Sequence, residues 1–191
     1  MRSFLQLFFV LFCGLALGAW GAWYSIQHNH GFGALNIGVW TAWPSAGAAD
    51  SDPYTRAKVA AEGEIPLGAA EGLAFHATED EQGGPLRMEC EYQIAGQTPL
   101  ARLWTITAHS VGGDIVFRRN NTPASVVSRN ISRLPDGSID LHVGKTLSHA
   151  NWLRLDGTGP YQMVLRLYDS QLTRASDVTN ASMPKIRLVS C

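Results

Sequence analysis

The sequence predicts an all-β body, an antiparallel β-sandwich of jelly-roll type with one short helix, carried behind a single N-terminal transmembrane helix. Three observations predict it. An uncharged apolar run opens the chain, apolar and polar residues then alternate in several short stretches, and Gly, Pro and Asp clusters separate those stretches. The body shows no alternation of strands with long helices, so a parallel sheet is not expected.

Composition supports this division. The chain has 191 residues, 46% of them apolar and 16% charged, against about 25% charged in an ordinary soluble domain. The deficit is local, because no Asp, Glu, Lys or Arg lies between Arg2 and Asp50. We therefore divide the chain into a transmembrane anchor (1–26), an uncharged Gly- and Trp-containing linker (27–49) and a β-sandwich domain (50–191). A disordered chain, a collagen-like chain, a small disulfide scaffold and a multidomain protein are all excluded. The formal net charge of −1 provides no basic surface, and no nucleic-acid partner is expected.

The first element runs from Phe4 to Ile26, where only Gln6 and Ser25 are clearly polar. A helix over it reaches about 35 Å, enough to cross a hydrocarbon core of about 30 Å. Trp20, Trp23 and Tyr24 gather at its far end, where amphipathic rings settle at headgroup level. A cleaved signal peptide has a shorter apolar region, about 7–15 residues. A retained anchor is expected, with the lipid bilayer as partner through residues 4–26. Arg2 alone precedes the span, which favours a cytoplasmic amino terminus and an outside body. In a Gram-negative bacterium that is a single-pass inner-membrane protein with its body in the periplasm. Gly14, Gly18 and Ala22 fall on one helical face and permit helix self-association, although small residues are also simply common in membrane helices.

Residues Gln27 to Ala49 contain Trp40 and Trp43, expected to pack on the body as its first segment. His28 and His30 lack a third ligand nearby and read as a solvated pair. Ser51 or Asp52 before Pro53 marks a helix start, the proline falling where its missing N–H is harmless. That helix is expected to reach Glu62 and stop at Gly63. Strands follow. Met88, Cys90, Tyr92 and Ile94 alternate with polar residues, Leu100, Arg102, Trp104 and Ile106 alternate with Ala101, Leu103, Thr105 and Thr107 in a strand apolar enough for a central place, and further alternation occurs at Ile139, Leu141 and Val143, at Tyr161, Met163, Leu165 and Leu167, and at Ile186 and Leu188. The turns between them include residues 80–84, 95–96, 112–113, 135–137 and 156–160.

Charge is unevenly spread. Residues 50–91 hold ten acids and three bases, whereas residues 92–191 hold six acids and eleven bases. Neighbouring strands from the two halves are expected to neutralise each other, each cross-strand pair contributing about 0.2–1 kcal/mol. Cys90 and Cys191 are the thiols outside the membrane segment. In an oxidising compartment a bridge between them would contribute up to about 4.7 kcal/mol by chain entropy. The alternative is a buried Cys90 and a free Cys191.

Four pieces carry a resemblance: Asp52-Pro53-Tyr54-Thr55-Arg56-Ala57, Glu71-Gly72-Leu73-Ala74-Phe75, Asn151-Trp152-Leu153 and Leu165-Arg166-Leu167-Tyr168. Together, over about residues 38–190, the chain resembles the domain-of-unknown-function 1214 family, in particular its short membrane-anchored bacterial members. The resemblance implies a jelly-roll β-sandwich and an anchor, and no activity. Arg154 departs from the proline that the family commonly carries after Asn-Trp-Leu.

No nucleophile elbow, His-Glu-x-x-His, phosphate loop or dinucleotide fingerprint is present, and no cofactor is expected. His76, His109, His142 and His149 are scattered among Asp80, Glu89, Glu91, Asp114 and Asp140, so only folding can bring a pair together. The candidate ligand-binding residues are Asn151, Trp152, Arg166 and Tyr168, types that recur at binding sites. Their structural reading puts Trp152 in the core, Asn151 at a turn and Arg166 beside an acid. Two functions stay open. One is a non-catalytic envelope binding or accessory module with an envelope protein as partner. The other is a membrane-tethered enzyme acting on an envelope saccharide or lipid-like substrate.

Overall fold

The structure, a computed structural model, describes residues 2–28, 33–62, 66–68, 71–116, 122, 124–148, 151–170, 172 and 181–191. His30, Gly63 and His149 lie outside the described residues.

Helix α1 covers Arg2–His28, and its stretch Arg2–Ser25, with mean hydropathy 1.9, is long and apolar enough to cross a membrane. Its Phe8, Leu11 and Trp20 side chains are exposed rather than packed on the body. Helix α2 covers Pro53–Glu62, starting at the expected proline. Asp52 caps it: Oδ1 accepts the N–H groups of Tyr54 and Thr55 at 2.9 and 3.1 Å, and Oδ2 accepts the Thr55 hydroxyl. Two of the donors that a helix start leaves unpaired are thereby satisfied.

The strands, in chain order, are β1 (Leu35–Ile37), β2 (Trp40–Ala42), β3 (Gly72–Ala77), β4 (Glu91–Gly96), β5 (Ala101–Ser110), β6 (Ser125–Val127), β7 (Ile139–Gly144), β8 (Asn151–Arg154), β9 (Tyr161–Ser170) and β10 (Lys185–Ser190). They form two sheets, one of order β1-β2-β3-β9-β5-β6 and one of order β10-β4-β7-β8. Both line one hydrophobic cluster. Phe75, Trp104, Ile106, Leu165 and Leu167 enter it from the first sheet, and Tyr92, Ile94, Leu141, Val143 and Leu153 from the second. The alternating residues of β7 and β9 point inward as expected, all but fully buried.

The pairing is not wholly antiparallel, which corrects the expectation. β7 and β8 run parallel, with Leu141 opposite Asn151 and Val143 opposite Leu153. Just beyond β7, Thr146 donates its N–H and hydroxyl to Glu91 Oε1 at 3.0 and 2.9 Å. Two further expectations change. The stretch from Met88 to Cys90 is a turn rather than strand, closed by Cys90 N–H donating to the Arg87 carbonyl at 3.1 Å. Leu100 lies before β5 and is 83% exposed.

Within the uncharged stretch 27–49, β1 and β2 form a hairpin that pairs with β3 through Thr41 and Ala42. Trp40 fills the core, and its indole N–H donates to the carbonyl of Pro184, 144 residues away, at 2.7 Å. Cys90 and Cys191 are joined by a disulfide across a sequence separation of 101, with Cα atoms 4.2 Å apart. Gly72 is required where β3 crosses β9, because a Cβ there would collide with the Leu167 carbonyl. An ion pair from Lys185 to Glu81 at 3.9 Å joins the basic and acidic halves of the sequence. Those of Arg102 with Asp169 and of Arg154 with Asp156 stay within the basic half.

Candidate functional site

The middle of the larger sheet carries two opposed faces. Leu73, Phe75 and Ala77 of β3, Met163, Leu165 and Leu167 of β9, and Trp104, Ile106 and Ala108 of β5 turn to the core. Strand alternation therefore sends His76, then Gln162, Val164, Arg166 and Tyr168, then Thr105, Thr107 and His109 to the other side. That side is also closed at its centre: His76 is 9% exposed, Gln162 7%, His109 3% and Val164 0%. Polar groups buried this deeply must be hydrogen-bonded to be tolerated.

They are. Nδ1–H of His109 donates to the Gly113 carbonyl at 2.8 Å, and its Nε2 lies 3.3 Å from Arg166 Nη1, a donor. Only the neutral Nδ1–H tautomer satisfies both contacts. Gln162 bridges the strip, its Oε1 lying 3.4 Å from His76 Nδ1 and its Nε2 lying 3.4 Å from the Ser110 carbonyl. Trp43 closes over His76 edge-on, ring centroids 5.5 Å apart. Arg166 is in register with Thr105, four residues along β5 from His109, a distance of about 13 Å in extended chain. Its guanidinium therefore reaches along the strand toward His109. The strip is a buried polar array whose hydrogen bonds run among its own side chains and to neighbouring backbone carbonyls. His109 has both ring nitrogens engaged. Among the described residues no cluster of three or more His, Cys, Asp or Glu is placed to hold a metal.

The four candidate residues divide between the sheets. Arg166 and Tyr168 share the non-core face of β9, while Asn151 and Trp152 lie on β8, at the edge of the smaller sheet. Asn151 is a staple rather than a simple turn residue. Its Oδ1 accepts the Ser132 N–H at 2.7 Å, and its Nδ2 donates to the Ser132 and Asp140 carbonyls at 2.8 Å. Trp152 is half-buried on the non-core face, its N–H donating to the Gly144 carbonyl at 3.1 Å, and Leu153 takes the core position instead. Arg166 has His109 among its partners. His76, His109 and Gln162 escaped the sequence reading as a group. Alternation alone places each opposite its core neighbours, but only strand register sets them side by side.

A separate groove of about 620 Å³ lies between the turn at residues 46–49 and α2, lined by Ala46, Ala48, Arg56, Val59, Ala60 and Pro66. Arg56 Nε donates to the Ser51 carbonyl at 2.8 Å.

Comparison with known proteins gives a fold and a family. The structure is similar to the VPA0106 protein from Vibrio parahaemolyticus, with a TM-score of 0.57 and 18% identity over 74% of this chain and 36% of that one. It is also similar to an uncharacterized protein from Burkholderia cenocepacia, with a TM-score of 0.42 and 18% identity over 74% of this chain and 44% of that one. The chain thus spans less than half the length of either solved relative. No curated protein matches it. A family model described as "Protein of unknown function (DUF1214)" matches residues 71–172, from β3 to just past β9 and including the whole polar strip. That match covers more than half of the sequence, and the chain belongs to the DUF1214 family.

Proposed function

We propose that this protein is a membrane-anchored envelope protein whose body, a jelly-roll β-sandwich in the periplasm, is a non-catalytic binding or accessory module for another envelope component. The Cys90–Cys191 disulfide carries this reading, because such bonds persist in oxidising compartments and are rare in the cytosol. It agrees with an α1 that is apolar along its length and has Arg2, in its first turn, as its one charged residue. The engagement of both His109 ring nitrogens supports binding over proton-transfer chemistry.

The test is fractionation with protease access. The full-length chain should stay in carbonate-washed inner membranes, and its body should be digested in spheroplasts but not in intact cells. Isolation of a chain lacking its first two dozen residues from osmotic-shock fluid would refute the anchor. Hydrolysis of an envelope saccharide or lipid by the purified chain, abolished by Arg166→Ala, would favour the tethered enzyme instead.

A further inference from the structure

The groove between residues 46–49 and α2 has fixed walls. Ala46 N–H donates to the Trp43 carbonyl and Ala48 N–H to the Ser45 carbonyl, each at 3.0 Å, which holds the turn. Ser51 joins that turn to α2: its N–H donates to the Ala48 carbonyl at 3.2 Å, and its carbonyl accepts Arg56 Nε–H at 2.8 Å. Residues 66–68 close one side. They pass so near Gly47 that a Cβ there would collide with the Leu67 carbonyl.

The lining is apolar apart from one cation. Ala46, Ala48, Ala49, Val59, Ala60 and Pro66 supply aliphatic surface, and no carboxylate lines the groove among the described residues. Arg56 is exposed, and its side chain is engaged through Nε alone. The other N–H groups of its guanidinium have no partner among the described residues, and all of them are donors. Beside it the Ser51 hydroxyl is buried and likewise without a partner.

The groove stands next to the apolar helix. α1 and α2 are in contact. Of residues 14–25 only Ser25 is partly shielded, whereas Trp20 and Trp23 are exposed. The two helices therefore meet at the aromatic end of α1, the end that settles at headgroup level when α1 is the anchor.

A phospholipid matches this surface at that level. Its phosphate is an acceptor-only anion that a guanidinium binds through paired N–H groups, and its acyl chains gain by leaving water for an alanine-lined wall. A bound peptide strand would need free backbone donors along the turn, but those of Ala46, Ala48 and Ser51 are engaged. A soluble sugar would need a polar lining. At about 620 Å³ the groove is the size of a small-ligand site, about 300–1,000 Å³, and not of a protein interface.

We propose that this groove seats one phospholipid from the leaflet on the body's side, its phosphate on Arg56 and the start of one acyl chain against Ala48, Val59 and Ala60. The inference rests on the membrane-anchor reading and adds to it a lipid contact made by the body itself.

The test is photocrosslinking. The full chain is reconstituted in phosphatidylcholine nanodiscs that contain phosphatidylglycerol with a diazirine near the head of one acyl chain, and adducts are mapped by peptide mass spectrometry. Adducts are expected on α1 and also on the peptides holding residues 46–49 and 56–60. Arg56→Gln should lower the groove adducts about threefold, the effect of losing an exposed ion pair, while Arg56→Lys should keep most of them. Ala60→Trp, which fills the groove from an exposed position, should abolish them with α1 adducts and near-ultraviolet circular dichroism unchanged. Adducts confined to α1 would overturn the proposal and leave the anchor standing, as would groove adducts unaltered in both Arg56→Gln and Ala60→Trp. A chain without adducts on α1 would remove the anchor reading and this proposal with it.

Discussion

The rings of Tyr92 and Tyr161 meet edge to face in the core, centroids 6.2 Å apart and planes inclined at 67°, yet their hydroxyls differ. That of Tyr92 accepts the Arg87 N–H at 3.0 Å and lies 3.4 Å from the Pro85 carbonyl. That of Tyr161 is buried with no hydrogen-bond partner among the described residues. An unmatched hydroxyl in an apolar interior is destabilising. Tyr161→Phe should therefore leave stability unchanged or raise it by up to about 2 kcal/mol, while Tyr92→Phe should lower it by about 1 kcal/mol. Urea denaturation followed by near-ultraviolet circular dichroism measures both.

The same pair predicts behaviour in alkali. Burial pushes both phenols above their ordinary value of 10.0, and for Tyr161 the neighbouring Tyr92 adds to the shift. A folded-state pKa above the unfolded one means that the neutral form is favoured by folding. The contribution is complete below pH 10 and declines as pH rises beyond it. Alkaline unfolding should begin above pH 10, and Tyr161→Phe should move its midpoint upward.

At the acid end, Asp52 behaves in the opposite sense. Hydrogen bonds from the Thr55 hydroxyl and then the Thr55 N–H hold its carboxyl below the ordinary value of 3.8. Its stabilisation of α2 is present above pH 3.8 and is lost as pH falls below that value. Amide exchange in the first turn of α2 should accelerate in that range. Asp52→Ala should produce the same acceleration at neutral pH, and Asp52→Asn should restore part of the protection.

Removing the cross-link should weaken the whole body. Cys191→Ser is expected to lower stability by about 2–4 kcal/mol, since the bond closes a long loop in the unfolded chain. Thermal unfolding with and without reductant provides the check. Reductant should lower the wild-type midpoint and leave the variant's midpoint unchanged.

The polar strip gives a fifth expectation. His109→Phe keeps the ring volume but deprives the Gly113 carbonyl and the Arg166 guanidinium of a partner each. A loss of about 1–3 kcal/mol is expected, measured by chemical denaturation against Thr105→Val as a control on the same face.

Sequence pattern revealed the parts of the fold whose signal is local. β7 and β9 were legible because Ile139, Leu141 and Val143, and Tyr161, Met163, Leu165 and Leu167, are apolar at every second position. The start of α2 was legible because Asp52-Pro53 encodes both a cap and a first turn. β8 was not, since four residues with one core side chain, Leu153, leave no period to detect. The structural reading of Trp152 put it inside, but the alternation that buries Leu153 turns its neighbour outward. The parallel pairing of β7 with β8 and the meeting of His109 with Arg166 depend on strand register. Register is set by cross-strand packing, which a single strand's composition does not encode.

Trp40 has a mechanical consequence. Only six residues separate the end of α1 at His28 from the start of β1 at Leu35, and three residues beyond β1 the Trp40 indole is bolted to Pro184 beside the last strand. A tug on the helix would therefore meet no slack of more than a few residues before it loaded the interior of the body. Motion of the helix and integrity of the globule are coupled through the β1–β2 segment, which the Trp40 indole and the pairing with β3 fasten to the body.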